Sequence, residues 1–134
     1  MSNILQIFGR FSGRIDNAVV QGGSVERGVK VTTAGLKYDK VFQIANTANS
    51  TIYSTDLADF NFLWVESDFT VALKLTDTNS NTFRLALVGS GVDNRYGVPL
   101  MLGDDGTTGA FVINTIQAFN TSGNTAKVRI FAAT

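Results

Sequence analysis

The sequence predicts an all-β protein, a single antiparallel β-sandwich of jelly-roll or immunoglobulin-like type with an N-terminal arm. Three observations predict it. Apolar and polar residues alternate through the middle of the chain, as they do in half-buried strands. Turn-forming clusters recur at roughly ten-residue intervals and separate about eight or nine such segments. The 134 residues include 13 glycines and a single proline, which suits strands joined by tight turns.

The clearest alternation lies between Phe60 and Val88. Two segments with a period of two flank the polar turn 77–81, which predicts a β-hairpin. Shifting either segment by one residue would turn its whole apolar set towards water. The residues predicted to face inward, towards a second sheet about 10 Å away, are Phe69, Val71, Leu73, Leu75, Phe83, Leu85 and Leu87.

Shorter apolar segments bounded by turn residues predict the other strands. The last two are expected to form a hairpin around residues 120–124, and no helix or internal repeat is predicted. One domain is therefore expected over residues 1–134. The predicted strands cover residues 24–32, 38–45, 51–55, 60–66, 98–102, 110–119 and 125–132.

Residues 1–24 differ from the rest of the chain. Their apolar residues do not alternate regularly, and the pair Gly9-Arg10 is repeated as Gly13-Arg14. This segment is either a first, irregular strand that closes the domain's own sheet or an arm that lies on a neighbouring subunit. Chain ends are usually frayed unless they are tied down, so an apolar end is expected to be held by something.

The composition argues against several classes of protein. The chain contains neither cysteine nor histidine. A disulfide framework and a thiolate site are therefore excluded, and the usual general base and the commonest metal ligand are missing. No residue set carries a recognisable activated nucleophile or base, so an enzyme is not expected.

The net charge also bears on partners. Eleven acidic and eleven basic residues cancel, so no overall field attracts nucleic acid, and no nucleic-acid partner is expected. The charges are nevertheless segregated along the chain. Residues 1–40 hold six basic and three acidic residues (+3), residues 41–110 hold three and eight (−5), and residues 111–134 add +2. Either these segments neighbour one another within a monomer, or they register one subunit on another.

No targeting or membrane segment is predicted. Residues 1–8 have no basic region ahead of a sustained apolar run, so no signal peptide is expected. No apolar run approaches the ~20 residues that a membrane span requires. We therefore expect a protein that is made in the cytoplasm and has no membrane partner.

Candidate sites for chemistry favour structural interpretations. Glu66 and Asp68 could flank a sugar as paired carboxylates, but such a pair near a strand end is more typical of an exposed edge. Asp104 and Asp105 in the loop GDDGTTG offer oxygen ligands of the kind that calcium takes, without the EF-hand spacing. We interpret that loop as a turn and expect no metal or cofactor.

A glycine-rich loop and a set of aromatic residues also favour structural interpretations. The loop GSGVDNRYG (residues 89–97) lacks the Gly-Lys-Ser/Thr sequence of a phosphate-binding loop, which favours a simple turn. Tyr38, Tyr53, Trp64 and Tyr96 could form a stacking platform for sugars or bases. Packing within strands explains most of them, and Tyr96, in a loop, is the exception.

The segment FNFLWVESDFTVALKL, followed by FRLALVGSG and then GVPLML, resembles small all-β structural proteins of tailed bacteriophage virions. The resemblance covers approximately residues 51–102. It implies a non-enzymatic virion component, either a cement or decoration protein on the capsid or a neck or tail subunit. The implied partners are capsid or tail proteins of the same virion and further copies of the chain, and the implied location is the virion.

The main functional hypothesis is therefore an assembly protein that binds a shell or identical copies through its arm, its strand edges and complementary charge. The alternative is a carbohydrate- or receptor-binding module that uses the tyrosines or Trp64 beside carboxylates. The candidate interface residues are Ile7, Phe8, Arg10, Phe11 and Arg14 in the arm, with Asp56, Asp59, Asp104 and Asp105 as possible acidic counterparts.

Overall fold

A computed structural model describes residues 3–33, 37–57, 60, 62–103 and 112–134, and within residues 3–33 it describes the side chains of residues 14 and 16–19 only. The described residues form β-strands and turns, without a helix, which confirms the predicted all-β class. The strands are β1 (Asn3–Ile15), β2 (Ala18–Thr33), β3 (Lys37–Ile44), β4 (Asn49–Ser54), β5 (Phe62–Ser67), β6 (Val71–Asp77), β7 (Thr82–Leu87), β8 (Leu100–Gly103), β9 (Ile113–Phe119) and β10 (Ala126–Ala133).

The backbone divides into two compact units, residues 1–35 and residues 36–134. The first contains β1 and β2, which pair as a two-stranded antiparallel sheet, hereafter the ribbon. The second contains β3 to β10. The prediction of a single domain over residues 1–134 stays a prediction.

A two-residue turn closes the ribbon. Asp16 and Asn17 have φ angles of 49° and 65°, and Ile15 pairs with Ala18 across them. Positive φ at both central residues matches the right-handed twist of a hairpin, and Asp and Asn tolerate it well. The segments predicted as an arm and as a separate strand at 24–32 therefore belong to one hairpin, whose register shifts between Ile7 and Gly9.

The second unit is a sandwich of two four-stranded antiparallel sheets. The first sheet, hereafter the front sheet, has the order β3-β10-β5-β8, and the second, the back sheet, has the order β4-β9-β6-β7. The pairings are nested in sequence, because β6 pairs with β7, β5 with β8, β4 with β9 and β3 with β10. The eight strands of this sandwich agree with the predicted architecture.

The predicted hairpin at the centre of the chain is confirmed as β6 and β7, with Val71 opposite Leu87 and Thr76 opposite Thr82. The register agrees with the predicted inward face of Phe83, but its expected burial needs a correction. Its register places it opposite the buried Leu75, yet Phe83 is 57% exposed. It lies near the start of an edge strand, where alternation gives the face of a side chain but not whether anything covers that face.

The predicted hairpin of the last two strands is wrong. β9 pairs with β4 and β6 in the back sheet, whereas β10 pairs with β3 and β5 in the front sheet. Asn120 stabilises the segment that connects β9 in the back sheet to β10 in the front sheet. This buried side chain donates from Nδ2 to the carbonyl oxygen of Ile44 at 2.8 Å, and its Oδ1 accepts the N–H of Ser122 at 2.9 Å.

The core lies between the front and back sheets and takes alternate residues from both. Two tyrosines, Tyr38 and Tyr53, also pack in this core. The Tyr53 hydroxyl donates to the Leu57 carbonyl oxygen at 2.9 Å, and the Tyr38 hydroxyl donates to that of Ile52 at 2.8 Å. Their rings meet edge to face at 5.7 Å, an arrangement that aromatic quadrupoles favour. The large buried apolar side chains include Ile44, Ile52, Leu63, Val65, Val71, Leu73, Leu75, Leu87, Ile116, Val128 and Ile130.

Candidate functional site

The predicted arm residues lie on β1 of the ribbon. The register places Ile7 opposite Val29, Arg10 opposite Gly23 and Phe11 opposite Gly22, with Phe8 at the register shift. Arg14, opposite Val19, has an exposed side chain. The side chains of the other four arm residues lie outside the described part of the structure.

Of the predicted acidic counterparts, Asp56 is the one that lies in the described residues. Asp56 is exposed, and its Oδ2 accepts the backbone N–H of Ser54 at 2.9 Å, which is a hydrogen bond within a turn. Asp59, Asp104 and Asp105 lie outside the described residues. Pairing between the arm and these carboxylates therefore stays a prediction.

Asp68 has a role that the sequence did not indicate. The pattern suggested an exposed strand edge, whereas the structure buries Asp68 completely. Its Oδ1 accepts the backbone N–H groups of Phe69 and Lys127, both at 2.8 Å, and its Oδ2 accepts the N–H of Asn94 at 3.1 Å. A buried carboxylate is tolerated where such donors satisfy it. Asp68 thus joins the turn after β5, the loop after β7 and the start of β10.

The loop of residues 88–98, which follows β7, is held by its own contacts as well as by Asp68. The N–H of Gly91 donates to the Asp68 carbonyl oxygen at 2.9 Å, and the Ser90 hydroxyl bonds the carbonyl oxygens of Val92 and Arg95. A Cβ atom on Gly89 would lie 2.3 Å from the carbonyl carbon of Phe69, so only glycine fits there. These contacts agree with the interpretation of this loop as a turn.

A row of charges crosses the outer face of the front sheet. Arg129 donates from Nε and Nη2 to the two carboxylate oxygens of Asp39 at 3.3 and 3.2 Å, and its Nη1 lies 3.8 Å from Glu66. The hydrogen bond to Asp39 is the main cause of the raised pKa of Arg129. Arg129 thereby links β3, β10 and β5, and Glu66 acts as an ion-pair partner on this face.

A second ion pair lies at the end of the same face. The Lys127 Nζ is 3.2 Å from Asp93 Oδ1, and it also donates to the side-chain oxygen of Asn94. The nearby Tyr96 has a raised pKa, first because it is partly buried and next because of the negative charge of Glu66. Tyr96 therefore lies close to the charged groups of this face.

The aromatic residues considered for a stacking platform lie in different environments. Tyr53 is 1% exposed, so its ring belongs to the core and cannot stack on a ligand. Trp64 is half-buried on β5, where the register places it between Phe131 of β10 and Met101 of β8. Met101 is 47% exposed. Trp64 thus shares the outer face of the front sheet with Glu66, two residues along the same strand.

The described residues contain no group of three or more acidic, histidine or cysteine side chains placed to hold a metal ion. Among the same residues, no helix has the length and apolar character to cross a membrane. The loop at 104–105, considered above for calcium, lies outside the described ranges.

No protein-family model matches the chain, and a search of curated proteins finds no match.

Proposed function

We propose that this chain is a non-enzymatic structural protein of a virion, a cement or decoration protein that binds neighbouring copies and a capsid shell. The resemblance of residues 51–102 to phage structural proteins suggested this role, and the ribbon is the observation that carries it. Two strands of 13 and 16 residues form the ribbon. A two-stranded sheet is marginally stable by itself in water, and its edges are templates for strands from other chains. A ribbon is thus well suited to joining subunits.

Opposite net charges support contact between copies. Residues 1–35 carry four basic and two acidic residues, which gives a net charge of +2. Residues 36–134 carry seven basic and nine acidic residues, which gives a net charge of −2. Charge complementarity of this kind steers and registers association more than it adds affinity. The exposed Arg14 at the ribbon turn is the described member of the predicted basic set.

The strand order of the second unit supports the same class of protein. Nested pairing of eight strands in two sheets is what a rolled-up hairpin produces, and we infer that the sandwich is a jelly roll. Jelly rolls occur in viral capsid and lectin domains. Fold alone does not establish function, so this observation adds weight without deciding between those classes.

The roles of the best-placed acidic side chains also favour a structural protein. Asp68 accepts three backbone N–H groups, and Asp39 and Glu66 neutralise Arg129. These carboxylates are occupied in holding strands and loops together, which is the role expected in a scaffold.

A carbohydrate- or receptor-binding module is the second candidate. It is supported by the half-buried Trp64, which lies on the same outer face as Glu66. An aromatic ring beside a carboxylate is a suitable surface for a sugar. Glycan-array binding that Trp64→Ala abolishes would favour this candidate over the first.

Amide hydrogen exchange across protein concentration tests the assembly proposal. If copies join through the ribbon, protection of the backbone amides of β1 and β2 rises with concentration. The central amides of β6 and β10 are the internal control and should exchange at a constant rate. Ribbon amides whose exchange is independent of concentration would overturn the proposal.

A further inference from the structure

Strand β7 differs from the other three edges of the sandwich. Native edge strands are protected by charge, by bulges or by short length. β3 exposes Lys37 and Asp39, β4 has a register shift after Thr51, and β8 has only four residues. β7 has six residues in uninterrupted register with β6, and its one charged residue is Arg84.

The register of the hairpin determines which backbone groups of β7 point away from β6. The N–H of Asp77 donates to the Asn81 carbonyl oxygen at 2.9 Å, so Asp77 and Asn81 form a hydrogen-bonded pair of the hairpin. Hydrogen-bonded and non-hydrogen-bonded pairs alternate along an antiparallel ladder. The N–H and C=O groups of Thr82, Arg84 and Ala86 therefore point away from β6, in position to bond a further strand.

The aromatic ring of Phe83 lies at this edge and is only partly buried. Phe83 faces the same side as the buried Leu75, its register partner, yet more than half of its surface is exposed. Val88 and Val98, which lie beyond the strand, are also 50% and 63% exposed. An added strand with apolar residues on the inner side would remove Phe83 from water.

The opposite face of the same hairpin carries two like charges side by side. Lys74 and Arg84 are direct register partners on the outer face of the back sheet. Like charges directly opposite each other are destabilising. Within the described ranges neither has a carboxylate in ion-pair distance. A carboxylate on an incoming strand would relieve this repulsion.

We propose that β7 accepts an extended segment of a partner protein in which acidic residues alternate with apolar ones. The apolar residues cover Phe83, the acidic residues meet Arg84 and Lys74, and the segment's backbone bonds the edge of β7 that points away from β6. This is strand addition to a sheet edge, in which backbone bonds give affinity and alternate side chains give specificity. Pairing of β7 with β7 of a second copy is disfavoured, because it would bring two Lys74–Arg84 pairs together.

This inference rests on the proposed function, in which strand edges are assembly surfaces, and it names the partner chemistry at one edge. The test uses the full-length chain and two synthetic peptides of about nine residues, a usual strand length. One peptide alternates valine with glutamate and the other alternates valine with lysine. Amide chemical shifts are followed by NMR at millimolar peptide, in low and high salt.

We expect the glutamate peptide to shift the amides of Thr82, Arg84 and Ala86, and high salt to weaken its binding. Arg84→Glu should weaken binding of the glutamate peptide at least about tenfold and should allow the lysine peptide to bind. The variant should fold normally, because the new carboxylate would attract Lys74. Lys37→Glu, on the β3 edge, is the matched control and should leave binding of the glutamate peptide unchanged.

Three outcomes would overturn the inference: no shift at the β7 edge, equal binding of both peptides, or binding unaffected by Arg84→Glu. Self-association that depends on Arg84 would also overturn it in favour of a second copy. Failure here with concentration-dependent protection of the ribbon leaves the assembly proposal standing. If both the peptide experiment and the hydrogen-exchange experiment fail, the β7 inference and the assembly proposal are both overturned.

Discussion

The Asp68 carboxylate accepts the backbone N–H of Lys127 at 2.8 Å, although 59 residues separate them in the chain. In return, the N–H of Asp68 donates to the Lys127 carbonyl oxygen at 3.2 Å. This reciprocal pair continues the β5–β10 ladder by one step beyond the last residue of β5. It fixes the end of the front sheet from which the loop of residues 88–98 projects.

The first prediction concerns removal of this carboxylate. Asp68→Ala leaves the N–H groups of Phe69, Lys127 and Asn94 without their side-chain acceptor, which should lower the free energy of unfolding by about 3–5 kcal/mol. Asp68→Asn keeps one acceptor oxygen and should cost less. Urea unfolding measures both. Asp93→Ala, which removes an exposed ion pair with Lys127, is the control and should cost under about 1 kcal/mol. Equal midpoints for wild type and Asp68→Ala would contradict the assigned role.

The second prediction separates two reasons for glycine in the same loop. Gly89→Ala brings a Cβ to within 2.3 Å of the Phe69 backbone, so the chain must move and several kcal/mol of stability should be lost. Gly91 has a φ of +79° and open space around it, so Gly91→Ala should cost only about 1 kcal/mol of conformational strain. Thermal unfolding of both variants provides the comparison. The reverse ranking would mean that the loop does not pack on Phe69 as described.

The third prediction concerns acid. The hydrogen bond from the Asn81 side chain is the main reason that the pKa of Asp77 is lowered, and the N–H groups of Asn81 and Asn79 add to it. A lowered folded-state pKa gives stability that is present above the unfolded-state pKa and is lost as pH falls through the folded-state value.

Urea midpoints of the wild type should therefore decrease as the pH is lowered from about 5 to about 2.5. Asp77→Asn cannot titrate and should show a smaller decrease. Asn81→Ala removes the largest cause of the shift and should lie between the two. Identical pH dependence for wild type and Asp77→Asn would show that this turn does not contribute to acid sensitivity.

The fourth prediction sets an upper limit on the free energy that the ion pair between Arg129 and Asp39 contributes to stability. The side chains of Arg129 and Asp39 are 42% and 40% exposed, so solvent screens their attraction. A double-mutant cycle with Arg129→Gln and Asp39→Asn should give a coupling of less than about 1 kcal/mol that decreases with salt. A coupling above about 2 kcal/mol would indicate that this pair is a main support of the β3 edge.

Local patterns predicted much of the fold, because alternation reports the face of each residue in a strand. The β6–β7 hairpin follows directly from it, as does the buried set of Val71, Leu73 and Leu75. Alternation does not report which sheet a strand joins. β9 and β10 are adjacent in sequence and were predicted as a hairpin, but their partners are strands far away in the chain.

The Asp68 site could not be predicted for a similar reason. Its position near the end of a predicted strand, two residues after Glu66, indicated an exposed edge. Its acceptance of the N–H of Lys127 depends on strand β10 lying beside β5, which is a long-range pairing. The exposure of Phe83 likewise depends on the position of β7 at a sheet edge.

The central claim is that copies of this chain associate, and light-scattering mass across protein concentration and salt tests it most directly. We predict an oligomer well above the 14.4 kDa monomer, such as a trimer, hexamer or larger ring. Salt should weaken it, and so should Arg14→Glu in the ribbon, whereas Lys40→Glu in the sandwich is the matched control. A mass of 14.4 kDa at every concentration, or an oligomer indifferent to Arg14→Glu and salt, would contradict the account.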